Sequence, residues 1–136
     1  MKITLITALV AGGLLTGASQ AAAGKEVIRF LSVQVSAKQT SANVVVINNN
    51  DLINGKKVGH DTLTCKLLSQ TKANCSVLIT LAGGKLHAKF AISSTATSGK
   101  GAITSGTGKY AGAKGSFTFK NLNAKGNRTS VVVTLT

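Results

Sequence analysis

The stretch Ile103-Thr-Ser-Gly-Thr-Gly-Lys-Tyr-Ala-Gly-Ala-Lys-Gly-Ser-Phe-Thr-Phe119 has the pattern of a strand, a tight glycine turn and a second strand. Gly106 and Gly108 allow backbone angles that a side chain forbids, and Gly112 and Gly115 let the returning backbone lie close to its neighbours. Polar and apolar residues alternate in the last four positions, which is the period of a half-buried strand. The stretch therefore predicts the corner of a β-barrel.

Apolar segments with strand-like character recur along the rest of the chain and are separated by short runs of asparagine, aspartate, serine and glycine. This spacing predicts an all-β protein. Proline is absent, which suits strands whose N–H groups all donate to a neighbour. The Asn-Asn-Asn-Asp run at residues 48–51 is typical of a turn. The eight predicted strands cover residues 27–36, 44–48, 58–69, 74–82, 85–93, 101–105, 114–121 and 128–136.

Eight short strands with tight connections favour an eight-stranded antiparallel up-and-down β-barrel of the calycin-like kind, because closure removes the exposed edges of the sheet. A barrel of this size either fills its interior with side chains or holds one small ligand. A two-sheet sandwich with Greek-key connections is the alternative architecture.

The amino terminus has the composition of a secretory signal peptide over residues 1–23. Lys2 supplies a positive start, residues 3–15 are mostly apolar, and Ala21-Ala-Ala23 offers a small-residue cleavage site. The apolar run is too short to span a bilayer comfortably, and no second run of that kind follows, so we do not expect an integral membrane protein. We expect one domain over residues 24–136, secreted to the periplasm or the extracellular space.

Two cysteines, Cys65 and Cys75, lie in neighbouring apolar segments, and the polar residues between them can turn the chain. Export to an oxidising compartment favours a disulfide bond between facing strands. A reactive thiol or a metal-binding pair is the less favoured interpretation.

The charge of the chain is strongly unbalanced, with 16 basic residues against three acidic ones and a formal net charge of +13. Such a charge attracts polyanionic partners. A specific nucleic-acid site is not expected, because the chain has no tryptophan and one tyrosine with which to stack bases. An acidic polysaccharide, lipopolysaccharide or an anionic lipid surface fits an exported protein better.

The sequence offers no cluster of residues at metal-ligand spacing. His60 and Asp61 are adjacent and point to opposite faces of a strand, and His87 stands among lysines. We therefore expect neither a metal nor another cofactor. A glycine-rich dinucleotide motif is excluded as well, since its glycines must be followed by a helix.

Asp51 and Asp61 are the best candidates for a general acid or a hydrogen-bond acceptor, because they are the acids of the central part of the chain. Both also have a structural interpretation. Asp51 follows three asparagines in the predicted turn, and Asp61 can neutralise Lys56 or Lys57.

The chain resembles the allene oxide cyclase and dirigent-like β-barrel family in two places. The corner is similar to the segment G-G-T-G-x-[FY]-x-x-A-[RK]-G of that family, with Ser105 in place of the first glycine. Bacterial members have a stretch like Asn50-Asp-Leu-Ile-Asn-Gly-Lys-Lys-Val-Gly-His-Asp61, followed by two strand cysteines and a glycine pair. Here Cys65, Cys75 and Gly83-Gly84 follow in that order.

The resemblance implies a barrel that binds a small, largely apolar ligand and directs its cyclisation or stereoselective coupling without a cofactor, as an isomerase-like or cyclase-like enzyme. It implies Lys114, in the Arg/Lys position of the motif, as a third catalytic candidate. Tyr110, in the aromatic position of the motif, Phe117 and Phe119 are the candidate ligand-binding residues, and Tyr110 is alternatively a packing residue with its hydroxyl at the barrel rim. Related barrels also form homo-oligomers. The alternative is a non-catalytic extracellular or envelope protein whose basic surface binds polyanions.

Overall fold

The computed structural model describes residues 26–136 and contains eight β-strands and no helix over that range. The predicted signal peptide lies outside the described residues. No helix in the described range could span a membrane. In chain order the strands are β1 Glu26–Ser41, β2 Val44–Ile53, β3 Lys56–Leu67, β4 Lys72–Leu81, β5 Gly84–Ser93, β6 Ser98–Gly108, β7 Gly115–Asn121 and β8 Arg128–Leu135.

Each strand pairs antiparallel with the next, and β8 pairs with β1 to close an eight-stranded barrel. This confirms the predicted up-and-down barrel and excludes the sandwich. The hairpins β1–β2, β3–β4, β5–β6 and β7–β8 lie at one end, called here the upper end. The three remaining hairpins and the start of β1 lie at the other, the lower end. Every strand thus presents alternate side chains to the barrel interior.

The turn predicted at residues 48–51 is wrong, because these residues lie inside β2. Asn49 pairs in register with Asp61 of β3, and Asp51 pairs with Ser32 of β1. Their side chains point inward, where hydrogen bonding and burial replace the turn chemistry that the sequence suggests. Alternate residues of the polar run, Asn49 and Asp51, therefore form part of the barrel interior, whereas Asn48 is exposed.

The predicted glycine corner is confirmed, although two of its glycines have exchanged roles. Gly108, Gly112 and Gly115 have positive φ angles of 62°, 77° and 154°. A side chain at Gly106 would instead meet the backbone carbonyl of Tyr110. Gly106 is therefore the position of close approach, and Gly112 is an open position that needs the left-handed backbone.

The lower half of the barrel is densely packed. Leu86 and Val133 are completely buried, and Ile103 and Leu135 pack beside them. Tyr110, in the β6–β7 turn, is buried in the same cluster and closes this end. Burying each large apolar side chain stabilises the fold by about 1.5 to 3 kcal/mol, so this half supplies much of the stability.

The predicted disulfide is confirmed. Cys65 of β3 and Cys75 of β4 are register partners, and their sulfur atoms are 2.09 Å apart. The bond lies near the upper end, below the β3–β4 hairpin. It holds together two strands that border the cavity described next.

Candidate functional site

The upper half of the barrel encloses a cavity of about 270 Å³. Phe30, Ile79 and Phe117 lie at the border between this cavity and the packed core. Gln34 and Asn127 lie where β1 and the β7–β8 loop reach the upper end, and they line its mouth. The interior is therefore filled at one end and hollow at the other.

Three phenylalanines form one wall of the cavity. Phe90 comes from β5, and Phe117 and Phe119 come from β7. The ring of Phe90 meets Phe117 edge to face at 5.5 Å between centroids and Phe119 at 5.1 Å. The centroids of Phe117 and Phe119 are 6.2 Å apart. These contacts fix the rings, so the wall presents a stable aromatic surface to a ligand.

Polar side chains from β1, β2 and β3 form another part of the wall. One carboxyl oxygen of Asp61 accepts a hydrogen bond from the Ser32 hydroxyl at 3.0 Å. The other oxygen accepts one from the Asn49 amide at 2.8 Å. All three residues line the cavity. Both donors fix the carboxyl group of Asp61 in one orientation, in which it borders the hollow interior.

Asp51 lies deeper, behind this polar wall. Its side chain is fully buried, and neither carboxyl oxygen has a hydrogen-bond partner within residues 26–136. Burial, which disfavours the charged form, raises the pKa of Asp51 from 3.8 to about 9. The neighbouring Asp61 carboxyl adds to the rise, and Ser32 opposes it. At neutral pH, Asp51 therefore keeps its proton.

The two acids form a carboxyl pair, defined here as Asp51 and Asp61. The chain has only three acidic residues, and two of them occupy this one place inside the barrel. The Asp61 carboxyl group, which borders the cavity, accepts two hydrogen bonds, and the Asp51 carboxyl group behind it holds a proton. The arrangement can accept a proton from a ligand or stabilise a positive charge that develops on it.

The other sequence-derived candidates fall in different places. Phe117 and Phe119 line the cavity, whereas Tyr110 is buried at the lower end. Lys114 is exposed in the β6–β7 turn, where its ammonium group donates to the Thr104 carbonyl at 2.6 Å. The structure therefore brings Asp51, Asp61 and two of the three aromatic candidates together, and separates Tyr110 and Lys114 from them.

Sequence reasoning missed Ser32, Asn49 and Phe90. Phe90 could have been found, because it lies on the apolar face of an alternating strand. Ser32 and Asn49 carry no such signal, since their role depends on a strand register that joins distant residues. The described part of the chain contains no group of three or more histidines, cysteines and acids able to hold a metal ion.

Comparison with protein-family models finds no match. Comparison with curated proteins finds none either. Solved structures do match. A pyocyanin demethylase has a TM-score of 0.67 at 21% identity, and the match covers 82% of this chain and 100% of that one.

Two further solved structures match as well. A pterocarpan synthase dirigent protein has a TM-score of 0.62 at 14% identity, over 82% of this chain and 94% of that one. The Diels–Alderase AbmU from Streptomyces koyangensis has a TM-score of 0.64 at 11% identity, and the match covers 84% of this chain and 70% of that one. At these identities the likeness concerns the fold. The chain therefore has the closed β-barrel fold of the dirigent-like and cyclase-like proteins.

Proposed function

We propose that this protein binds a small, largely apolar molecule in the upper-half cavity and directs its cyclisation or coupling, with Asp61 as the group that exchanges a proton with it. The carboxyl pair at the edge of an otherwise apolar cavity is the observation that carries this proposal. The barrels of similar fold include a dirigent protein and a Diels–Alderase, which supports the same class of activity.

Burial of two acids side by side opposes folding, because each loses hydration and their charges repel. Two apolar side chains would serve the stability of the barrel better. Perturbed acids in a cavity are typical of functional sites, where the group must meet a ligand proton or charge. The position of the pair therefore favours a role in ligand chemistry over a structural one.

The cavity volume limits the ligand to a small molecule. A cavity of about 150 Å³ accommodates benzene, so 270 Å³ suits a molecule of roughly two or three rings or an aliphatic chain of similar bulk. The three phenylalanine rings favour a flat or unsaturated ligand.

Orientation is the main contribution that this geometry can make. A reactive molecule held between the aromatic wall and the polar wall has few conformations left. Because its conformational entropy is already lost on binding, the barrier to cyclisation or coupling is lower and the reaction is faster. Asp61 can then remove or stabilise one proton, while Ser32 and Asn49 keep its carboxyl group in place. The protonated Asp51 adds no charge of its own to the pair.

Secretion belongs to the same proposal, since a disulfide bond is typical of an oxidising compartment. The cavity favours ligand binding over a protein that acts only through its basic exterior, because a purely exterior role needs no hollow interior. The homo-oligomer implied by the family resemblance also stays a proposal.

Binding can be tested with N-phenyl-1-naphthylamine, an uncharged aromatic amine whose fluorescence rises in apolar surroundings. We expect one molecule per barrel for the wild type and about tenfold weaker binding for Asp61→Asn, because a hydrogen bond to a charged group is lost. Lys100→Ala, on the outer face of β6, is the matched control and should bind like the wild type. An absence of binding to the wild type, or equal affinity in Asp61→Asn, would contradict the proposal.

A further inference from the structure

Large apolar side chains are exposed at the upper end of the barrel. Leu68, at the tip of the β3–β4 hairpin, is 56% exposed, and Leu122, in the β7–β8 loop, is 54% exposed. Leu67 and Val35 are exposed near them. Four of the six large hydrophobic residues that are exposed within residues 26–136 thus lie at this end, in three different hairpins. We call these four residues the apolar rim.

The apolar rim lies beside the mouth of the cavity. Leu122 directly follows Asn121, and Val35 directly follows Gln34, and both of these neighbours line the cavity. Leu67 is two residues beyond Cys65, which lines it as well. The apolar rim therefore lies at the level of the cavity mouth.

Lysines accompany every part of the apolar rim. Lys66 and Lys72 flank the exposed leucines of the β3–β4 hairpin, Lys120 and Lys125 flank Leu122, and Lys38 lies beyond Val35 on β1. No acid opposes them. Of the three acids in the chain, two are buried in the carboxyl pair, and Glu26 begins β1 at the lower end. The upper end is therefore both apolar and uniformly basic.

We propose that the upper end of the barrel docks on an anionic lipid bilayer, with the apolar rim in the interfacial region and the surrounding lysines at the lipid phosphates. Lysines alone fit any polyanion, but exposed leucines gain nothing from a polysaccharide or a nucleic-acid backbone. Apolar side chains ringed by lysine are the combination that an anionic membrane surface binds. Long lysine stems also let the ammonium groups reach the headgroups while the leucines go deeper.

Docking in this orientation places the mouth of the cavity against the lipid. An apolar molecule dissolved in the bilayer can then enter the barrel without crossing water. The membrane proposal rests on the apolar rim and the surrounding lysines. Its test is therefore independent of the ligand chemistry proposed for Asp61.

A single introduced tryptophan reports which end meets the membrane, because the chain has none of its own. Leu68→Trp marks the upper end and Ile53→Trp, in an exposed position at the lower end of β2, is its matched control. With phosphatidylcholine vesicles that contain phosphatidylglycerol, we expect a blue shift of emission for Leu68→Trp alone. Equal shifts at both ends, or none at Leu68→Trp, would overturn the proposal.

Affinity for the same vesicles provides a second measurement. We expect Leu68→Asp and Leu122→Asp each to weaken binding at least about tenfold, and Ile53→Asp to leave it unchanged. The double variant Lys66→Ala/Lys72→Ala should have lower vesicle affinity, by about fivefold for each lysine removed. The double variant Lys56→Ala/Lys57→Ala, at the other end of β3, should keep the wild-type affinity. Circular dichroism confirms that each variant is folded.

Salt and lipid composition separate a membrane from other polyanions. We expect weak binding to vesicles of phosphatidylcholine alone and reduced binding to the anionic vesicles at high salt. Retention on heparin without any binding to anionic vesicles would assign the basic surface to a polysaccharide and overturn the proposal.

Discussion

Asp51 is the residue whose titration should be visible in the stability of the whole barrel. Its folded pKa of about 9 lies above the ordinary value of 3.8, so the folded state holds a proton that the unfolded state has released. Stability from this group is present below pH 4 and is lost as the pH rises towards 9. Asp51→Asn imitates the protonated acid at every pH. We therefore expect the variant to gain stability over the wild type by about 1.4 kcal/mol for each pH unit between pH 5 and pH 8.

Urea unfolding at pH 5, 7 and 8.5 measures this difference. At pH 5 the two proteins should differ least, because taking up a proton at Asp51 on folding costs least close to the unfolded pKa of 3.8. The exposed Asn54→Asp, in the β2–β3 turn, serves as a control for a general effect of charge. If Asp51→Asn and the wild type differ in stability by the same amount at all three pH values, Asp51 is not the group that titrates.

The residues of the site differ in how well the sequence indicates them. Asp51 and Asp61 were identified by composition, because a chain with three acids offers few alternatives. Their partner Ser32 could not be found in this way. It meets Asp61 across 29 positions of sequence, and only the pairing of β1 with β2 and of β2 with β3 brings the two together.

At the scale of elements, all eight strands were predicted, since alternation and turn residues are local signals. The exception is residues 48–51, a run that is typical of a turn but lies within β2, where Asn49 faces a polar patch of the interior. The strand ends also differ. β1 continues to Ser41 through two register shifts, and such bulges depend on the partner strand rather than on the local sequence.

The glycine corner joins the packed lower end to β6 and β7, and its two kinds of glycine should respond differently to substitution. In Gly106→Ala the new methyl group meets the Tyr110 carbonyl, which belongs to the backbone of a buried turn. We expect a loss of about 2 to 3 kcal/mol in the free energy of unfolding. Gly112 has open space around it and a φ of 77°, which asparagine adopts readily. Gly112→Asn should cost less than about 1 kcal/mol.

Chemical denaturation ranks the two variants of the corner, and the near-ultraviolet circular dichroism of the single tyrosine reports on the turn itself. Gly106→Ala should change this signal because Tyr110 must move. Equal stability of the two variants would show that the close approach at Gly106 is relieved at little cost, and that the corner tolerates more change than its packing suggests.

At the scale of the whole molecule, the barrel combines a packed half that provides stability with a hollow half that leaves room for a ligand. The sequence predicted the closed barrel but could not predict this division, because packed and hollow positions have the same alternation. Val131 and Val133 illustrate the problem. They are two residues apart on β8 and both face inward, yet the first lines the cavity and the second is completely buried.

These two valines allow the division to be tested with one substitution. Val131→Phe adds a ring where the interior is hollow, so we expect a change in the free energy of unfolding within about 1 kcal/mol and loss of N-phenyl-1-naphthylamine binding. Val133→Phe adds the same ring to a packed site, between its register partners Ile28 and Phe117, and should destabilise the barrel by about 3 kcal/mol or more. Urea unfolding and probe fluorescence on both variants measure the contrast. Equal destabilisation at the two positions would mean that the upper half is as closely packed as the lower, and a barrel without this space could not hold the ligand that we propose.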